Sequence, residues 1–244
     1  MIGNPRNDRG SSLFELMVVV ALLFVTMGAI FELFGLALQR SSAEQSKIDM
    51  VQQAREFMDQ ISQDLRQTGY PNIRTYVSSG ILTASPVAND VRLAVGLVKV
   101  DSGELWIEGD VDGTGTVSVV RYYLDTSTEN GCPCLKRSQL PKIQGDPLSG
   151  QTTPEYQLEV QNVRNSEVFS AFTWGSTGVP VTLPVDFTNS GSSIATIDTI
   201  KVVLTLETAV PDSRTRQKPI NTLISTVKLH NCSQAATGLT MSCQ

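Results

Sequence analysis

The chain has 244 residues with 24 acidic against 19 basic side chains and a formal net charge of -5, a balance that excludes the basic surface by which proteins usually bind nucleic acid. Charged residues are only 18% of the sequence, below the share expected of an ordinary soluble surface. The excess of apolar residues is concentrated at the N-terminal end.

From Ser11 to Leu38 the sequence is an apolar run interrupted by two charges, Glu15 and Glu32. At about 1.5 Å per residue a helix of this length crosses the hydrocarbon core of a bilayer. Arg6 and Arg9 precede it, which predicts a cytoplasmic N-terminus and translocation of the rest. The run is longer than the apolar part of a secretory signal peptide. A carboxylate inside a membrane segment costs about 2.5–3.5 kcal/mol on insertion scales, so Glu15 calls for a partner. Gly28 and Gly35 lie seven residues apart on one face. They permit close helix packing, or they weaken the helix locally.

Between Ser41 and Thr68 the pattern becomes amphipathic. Ile48, Val51, Ala54, Phe57, Met58, Ile61 and Leu65 recur at spacings of three and four, the signature of one helical face. Gly69 and Pro71 end the helix as a C-terminal glycine and a following proline do. Roughly 170 residues remain, enough for one domain with its own core.

That remainder reads as strands. Leu105–Ile107 and Val117–Leu124 flank the turn Gly109–Gly115, an Asp-Gly hairpin signal. Tyr156–Trp174 mixes strand and turn, with Leu158, Val160, Val163, Phe169 and Phe172 as its expected core. Residues 200–206 and 223–229 alternate apolar with polar across a polar loop, Pro211–Pro219. The predicted fold is α+β, one long helix laid on an antiparallel sheet.

Asp110, Asp112 and Thr114 stand at alternate positions with Gly115 sixth, the front half of a calcium loop. The twelfth position is Arg121 where a bidentate glutamate would complete the set, so a plain hairpin turn competes with a calcium site. Cys132, Cys134, Cys232 and Cys243 allow three disulfide connectivities. Cys232–Cys243 would close a small loop and leave the tight Cys132-Pro133-Cys134 ring; two crossed bridges are the alternative. Free thiols or zinc would fit a reduced compartment, but the spacing matches paired C-x2-C ligands poorly. The single histidine, His230, has no nucleophile partner that the sequence can argue. No catalytic residues, and no enzyme, are expected.

Gly10-Ser-Ser-Leu-Phe-Glu-Leu-Met-Val-Val-Val resembles the N-terminal signal of type IV pilins and pseudopilins, a charged leader ending in glycine with a carboxylate at fixed offset in an apolar helix. The continuation Asp64-Leu-Arg-Gln-Thr-Gly-Tyr70, the Asp110–Gly115 turn and the ending Val227-Lys-Leu-His-Asn231 are similar to W-type minor pilins and, as close relatives, J-type minor pseudopilins of type II secretion. The resemblance implies a pilin fold with a leader at 1–10, a transmembrane and filament-core helix at 11–38, its amphipathic continuation at 39–69 and a globular domain at 70–244. It implies cleavage by prepilin peptidase between Gly10 and Ser11, N-methylation of Ser11, and a register-setting role for Glu15 against the new amine of a neighbouring subunit. Ser11 stands where the family commonly has phenylalanine.

The partners so implied are other minor and major pilins, the peptidase, an inner-membrane assembly platform and, before assembly, membrane lipid, with no direct nucleic-acid binding. The implied location is the bacterial inner membrane, single-pass with the domain periplasmic, and then a surface filament serving adhesion, twitching motility or DNA uptake. No cofactor is expected beyond calcium at the aspartate turn. A membrane-anchored binding module, with or without calcium, that never polymerises is the alternative from another class.

Overall fold

The computed structural model describes residues 13–72, 90–128, 132–173, 178–187, 191–212 and 215–232. One helix, α1 (Leu13–Gln67), contains both the apolar run and the amphipathic stretch; the change of composition near Gln39–Ser42 does not interrupt it. The run contains no proline, so nothing removes a backbone donor from its ladder.

From Leu13 to Ser42 every side chain is exposed. At 1.5 Å per residue this half extends roughly 45 Å. Burial begins at Met50 and takes in Ala54, Phe57, Met58, Ile61 and Leu65. Val51 is partly buried against the same core. Ile48, expected on the buried face, is 57% exposed, because the first buried side chain of the helix is Met50, just beyond it. The helix stops with Gly69 at φ 79°, a conformation that glycine adopts without steric cost. Thr68 Oγ1 donates to the Asp64 carbonyl at 3.1 Å.

The strands are β1 (Leu97–Val100), β2 (Glu104–Gly109), β3 (Ser118–Asp125), β4 (Cys134–Pro141), β5 (Gln157–Val160), β6 (Phe169–Thr173), β7 (Val185–Asp186), β8 (Ile197–Glu207) and β9 (Ile220–Lys228), with a short helix α2 (Gly191–Ile194) before β8. They form two sheets rather than the expected one. The larger has the order β5-β4-β3-β2-β1-β7 and the smaller β6-β8-β9, with every pairing antiparallel. The predicted hairpin is β2–β3, with Ile107 opposite Val120 and Gly109 opposite Ser118.

α1 packs chiefly on β9, then on β5, β8 and β2. Its stripe joins Leu105, Ile107, Val120, Tyr122 and Leu135 of the larger sheet and Ile200, Val202, Leu204 and Leu206 of the smaller in one core. Fully burying a side chain of this kind stabilises by about 1.5–3 kcal/mol. Val119 and Arg121 on the opposite side of β3 are buried as well, near Gln151 and Thr152. Cover on both faces accounts for the adjacent apolar residues Val119 and Val120, whereas Tyr123, further along the strand, is 40% exposed. Leu158, expected in the core with Val160, is 44% exposed while Val160 is buried, because a register irregularity between β4 and β5, with Val160 opposite Leu135 and Leu158 opposite Lys136, breaks the alternation that would put both on one face.

Candidate functional site

Glu15 lies in the first turn of α1, where a carboxylate opposes the positive end of the helix dipole. Its side chain is exposed and is flanked by Leu13, Phe14, Leu16 and Met17, all more than 60% exposed. α1 is long and apolar enough to cross a membrane. Gly10 and Ser11, the predicted cleavage and methylation positions, lie outside the described residues. A Cβ built at Gly28 or Gly35 would have nothing within 4 Å, so the chain's own fold makes no use of the space that these glycines leave.

The other end of α1 is locked into the sheets by a buried charged group absent from the sequence reading. Asp64 is fully buried. Its Oδ2 accepts from Tyr122 Oη at 2.5 Å and from Arg137 Nε at 2.9 Å, with Arg137 Nη2 at 2.8 Å. Its Oδ1 accepts from Gln60 Nε2 at 2.8 Å. Helix, β3 and β4 are thereby joined at one carboxylate. Burial first, and then the Asp64 charge, push the Tyr122 phenol well above its ordinary value, so it remains a donor. Burial lowers the Arg137 value, but Tyr122 and Asp64 more than offset this and leave it raised. A signal was present: Asp64 falls three residues after Ile61 and seven after Phe57, in phase with the stripe.

A second buried pair lies close by. Lys142 Nζ donates to Glu108 Oε2 at 2.7 Å and to the Leu93 carbonyl at 2.8 Å, and Val95 N donates to the same Oε2 at 2.9 Å. Both side chains are 0% exposed. Burial raises the Glu108 carboxyl, and the adjacent ammonium acts against it.

The aspartate turn sits against the helix end. Gly69 N donates to the Glu108 carbonyl at 2.9 Å, and Asp110 N to the Tyr70 carbonyl at 2.8 Å. A Cβ at Gly109 would stand 2.5 Å from the Gln67 carbonyl oxygen, so the close approach of β2 requires glycine. Within the turn, Asp110 Oδ2 accepts from Gly115 N at 2.9 Å. Asp112 Oδ1 accepts from Thr114 Oγ1 at 2.8 Å and Thr114 N at 3.2 Å. Arg121, the twelfth position from Asp110, lies outside the turn on β3, with its guanidinium 4.1 Å from the Trp106 ring centre. Asn231, singled out only as part of a C-terminal resemblance, donates to the Arg66 carbonyl at 3.0 Å and to the Thr68 carbonyl at 3.2 Å. It satisfies carbonyls that a helix end otherwise leaves without partners.

Cys132 and Cys134 are bonded to each other, which removes the crossed arrangement. Cys232 is also disulfide-bonded, and Cys243 lies outside the described residues. Asp125 gathers with Cys132 and Cys134, but sulfurs consumed in a disulfide offer no thiolate to zinc. Lys136 instead ion-pairs with Asp125 at 2.6 Å. His230 follows β9 and is exposed.

Comparisons of the chain with known protein families, with curated proteins and with solved structures find no match in any of the three.

Proposed function

We propose that this chain is a structural subunit of a type IV pilus, a W-type minor pilin that helps prime filament assembly in a tip-associated complex. The carrying observation is the division of α1. Its first half is exposed and apolar with Glu15 in the first turn, while its second half is packed into two antiparallel sheets. A helix of this kind has two environments available, lipid before assembly and the helices of other subunits after it. In either environment an unpaired carboxylate is costly. A cationic amine created by cleavage before Ser11 on an adjacent subunit would attract Glu15 strongly in low dielectric and offset its desolvation. This pair would set axial register. Having the carboxylate, the subunit can sit beneath another and need not be the outermost cap.

The test is N-terminal sequencing and intact mass of the protein from native membranes, with and without prepilin peptidase. The expected product begins at Ser11 and carries an added methyl only when the peptidase is present. Glu15→Ala is expected to leave membrane insertion intact and abolish incorporation into filaments. An uncut chain that tolerates Glu15→Ala would instead identify a non-polymerising anchored module. Assembly with secretion pseudopilins in place of pilins would move the chain to the J-type.

A further inference from the structure

The turn between β2 and β3 holds an unexplained anionic oxygen. Asp110 is only 7% exposed. Its Oδ2 is satisfied by Gly115 N, but Oδ1 is buried and has no hydrogen-bond partner among the described residues. Leaving such an acceptor unmatched is unfavourable, and more so when it is charged. Neither Asp110 nor Asp112 forms an ion pair among the described residues.

We propose that this turn is a calcium site, with Asp110 Oδ1, the Asp112 carboxylate and Thr114 Oγ1 as protein ligands. The three residues stand at alternate positions, and Gly115 follows at φ 81°, the sharp bend that such a loop needs at its sixth place. The hydroxyl and carboxylate of Thr114 and Asp112 already meet at 2.8 Å. Calcium accepts six to eight oxygens in adaptable geometry, and water supplies those the protein does not. Magnesium demands a stricter octahedron and gives up its water reluctantly. Because Arg121 occupies the place of a bidentate glutamate, binding is of the low-affinity extracellular kind.

The site bears on the joint of helix and sheet, since Asp110 N is hydrogen-bonded to the Tyr70 carbonyl just beyond α1. Filling it would tighten that joint whether or not the chain polymerises.

The experiment is thermal unfolding of the full chain in detergent micelles, titrated with calcium chloride after chelation. Wild type is expected to gain about 3 °C or more at ~5 mM calcium, with half-saturation at roughly 0.1–1 mM. Magnesium at equal concentration is expected to give less than half that gain. Asp112→Asn keeps the side-chain oxygen that caps Thr114 and lies on an exposed residue, so it should fold normally and lose the calcium shift. No calcium-dependent shift in wild type, an equal shift with magnesium, or an undiminished shift in Asp112→Asn would each overturn the proposal.

Discussion

Asp64 occupies the apolar face of α1 because three partners from three directions satisfy it. Removing one member of a buried charged group is more damaging than never having had the group, since the survivors remain desolvated without compensation. Asp64→Ala strands the Arg137 guanidinium and the Tyr122 hydroxyl beneath the helix. It is expected to cost about 3–5 kcal/mol in urea unfolding of the full chain. Adding Arg137→Met should recover a clear part of that loss. A single-variant loss below about 1 kcal/mol, the range of a solvent-exposed pair, would show that the group is solvated and of little consequence. The Glu108–Lys142 pair follows the same logic. Position 64 is in phase with the buried stripe, a signal the sequence reading left unused, but nothing local gives a reason for a carboxylate there, because Tyr122 and Arg137 lie far along the chain.

At the scale of elements, the junction of α1 with β2 depends on contact between backbones. Gly109 lets the end of β2 reach the last turn of the helix, where Gly69 N and the Glu108 carbonyl then meet at 2.9 Å. Gly109→Ala places a methyl against the Gln67 carbonyl, and backbone has no rotamer by which to yield. The expected loss is about 1–3 kcal/mol, as for overpacking elsewhere, read as a lower urea midpoint. Gly113→Ala is the control for steric crowding, since its Cβ meets nothing within 4 Å, although its φ of 69° adds a conformational cost of its own. Gly109 has no left-handed φ of its own, so a Gly109→Ala midpoint equal to that of wild type would mean that the backbone yields and that close approach does not govern the junction. The hairpin, β8 and β9 were legible because turn chemistry and alternation are local signals. β1, β4 and β7 were not, since their burial depends on neighbours brought from elsewhere.

For the whole molecule, acid stability is the balance of carboxyls shifted in opposite directions. The Arg92 hydrogen bond lowers Asp90 to about 2, and the Lys136 hydrogen bond lowers Asp125 to about 2. A group depressed on folding contributes stability above its unfolded value of 3.8, and that stability is lost as pH falls through the folded value. Burial raises Glu108 and Glu159 instead, which favours the folded state on acidification. Those two have finished titrating below about pH 3.5, so the aspartates set the slope between there and about pH 2. The unfolding temperature should fall across that interval, and Lys136→Ala should make the fall shallower. A Lys136→Ala profile parallel to wild type would remove Asp125 from the account.

The sequence alone determined the division of this protein. A long apolar run, an amphipathic stripe and a glycine–proline stop are all local patterns, and so was the existence of one long helix before a β-rich domain. So was the position of Glu15 within the apolar run. Only the tertiary structure decided that there are two sheets, that Cys132 pairs with Cys134, and that Asp64, Glu108 and Lys142 are buried. It also decided that Asp110 keeps one oxygen buried without a donor. The buried polar groups depend on desolvation by residues distant in the chain, and the two sheets depend on pairing between distant strands, quantities that no local pattern of side chains specifies.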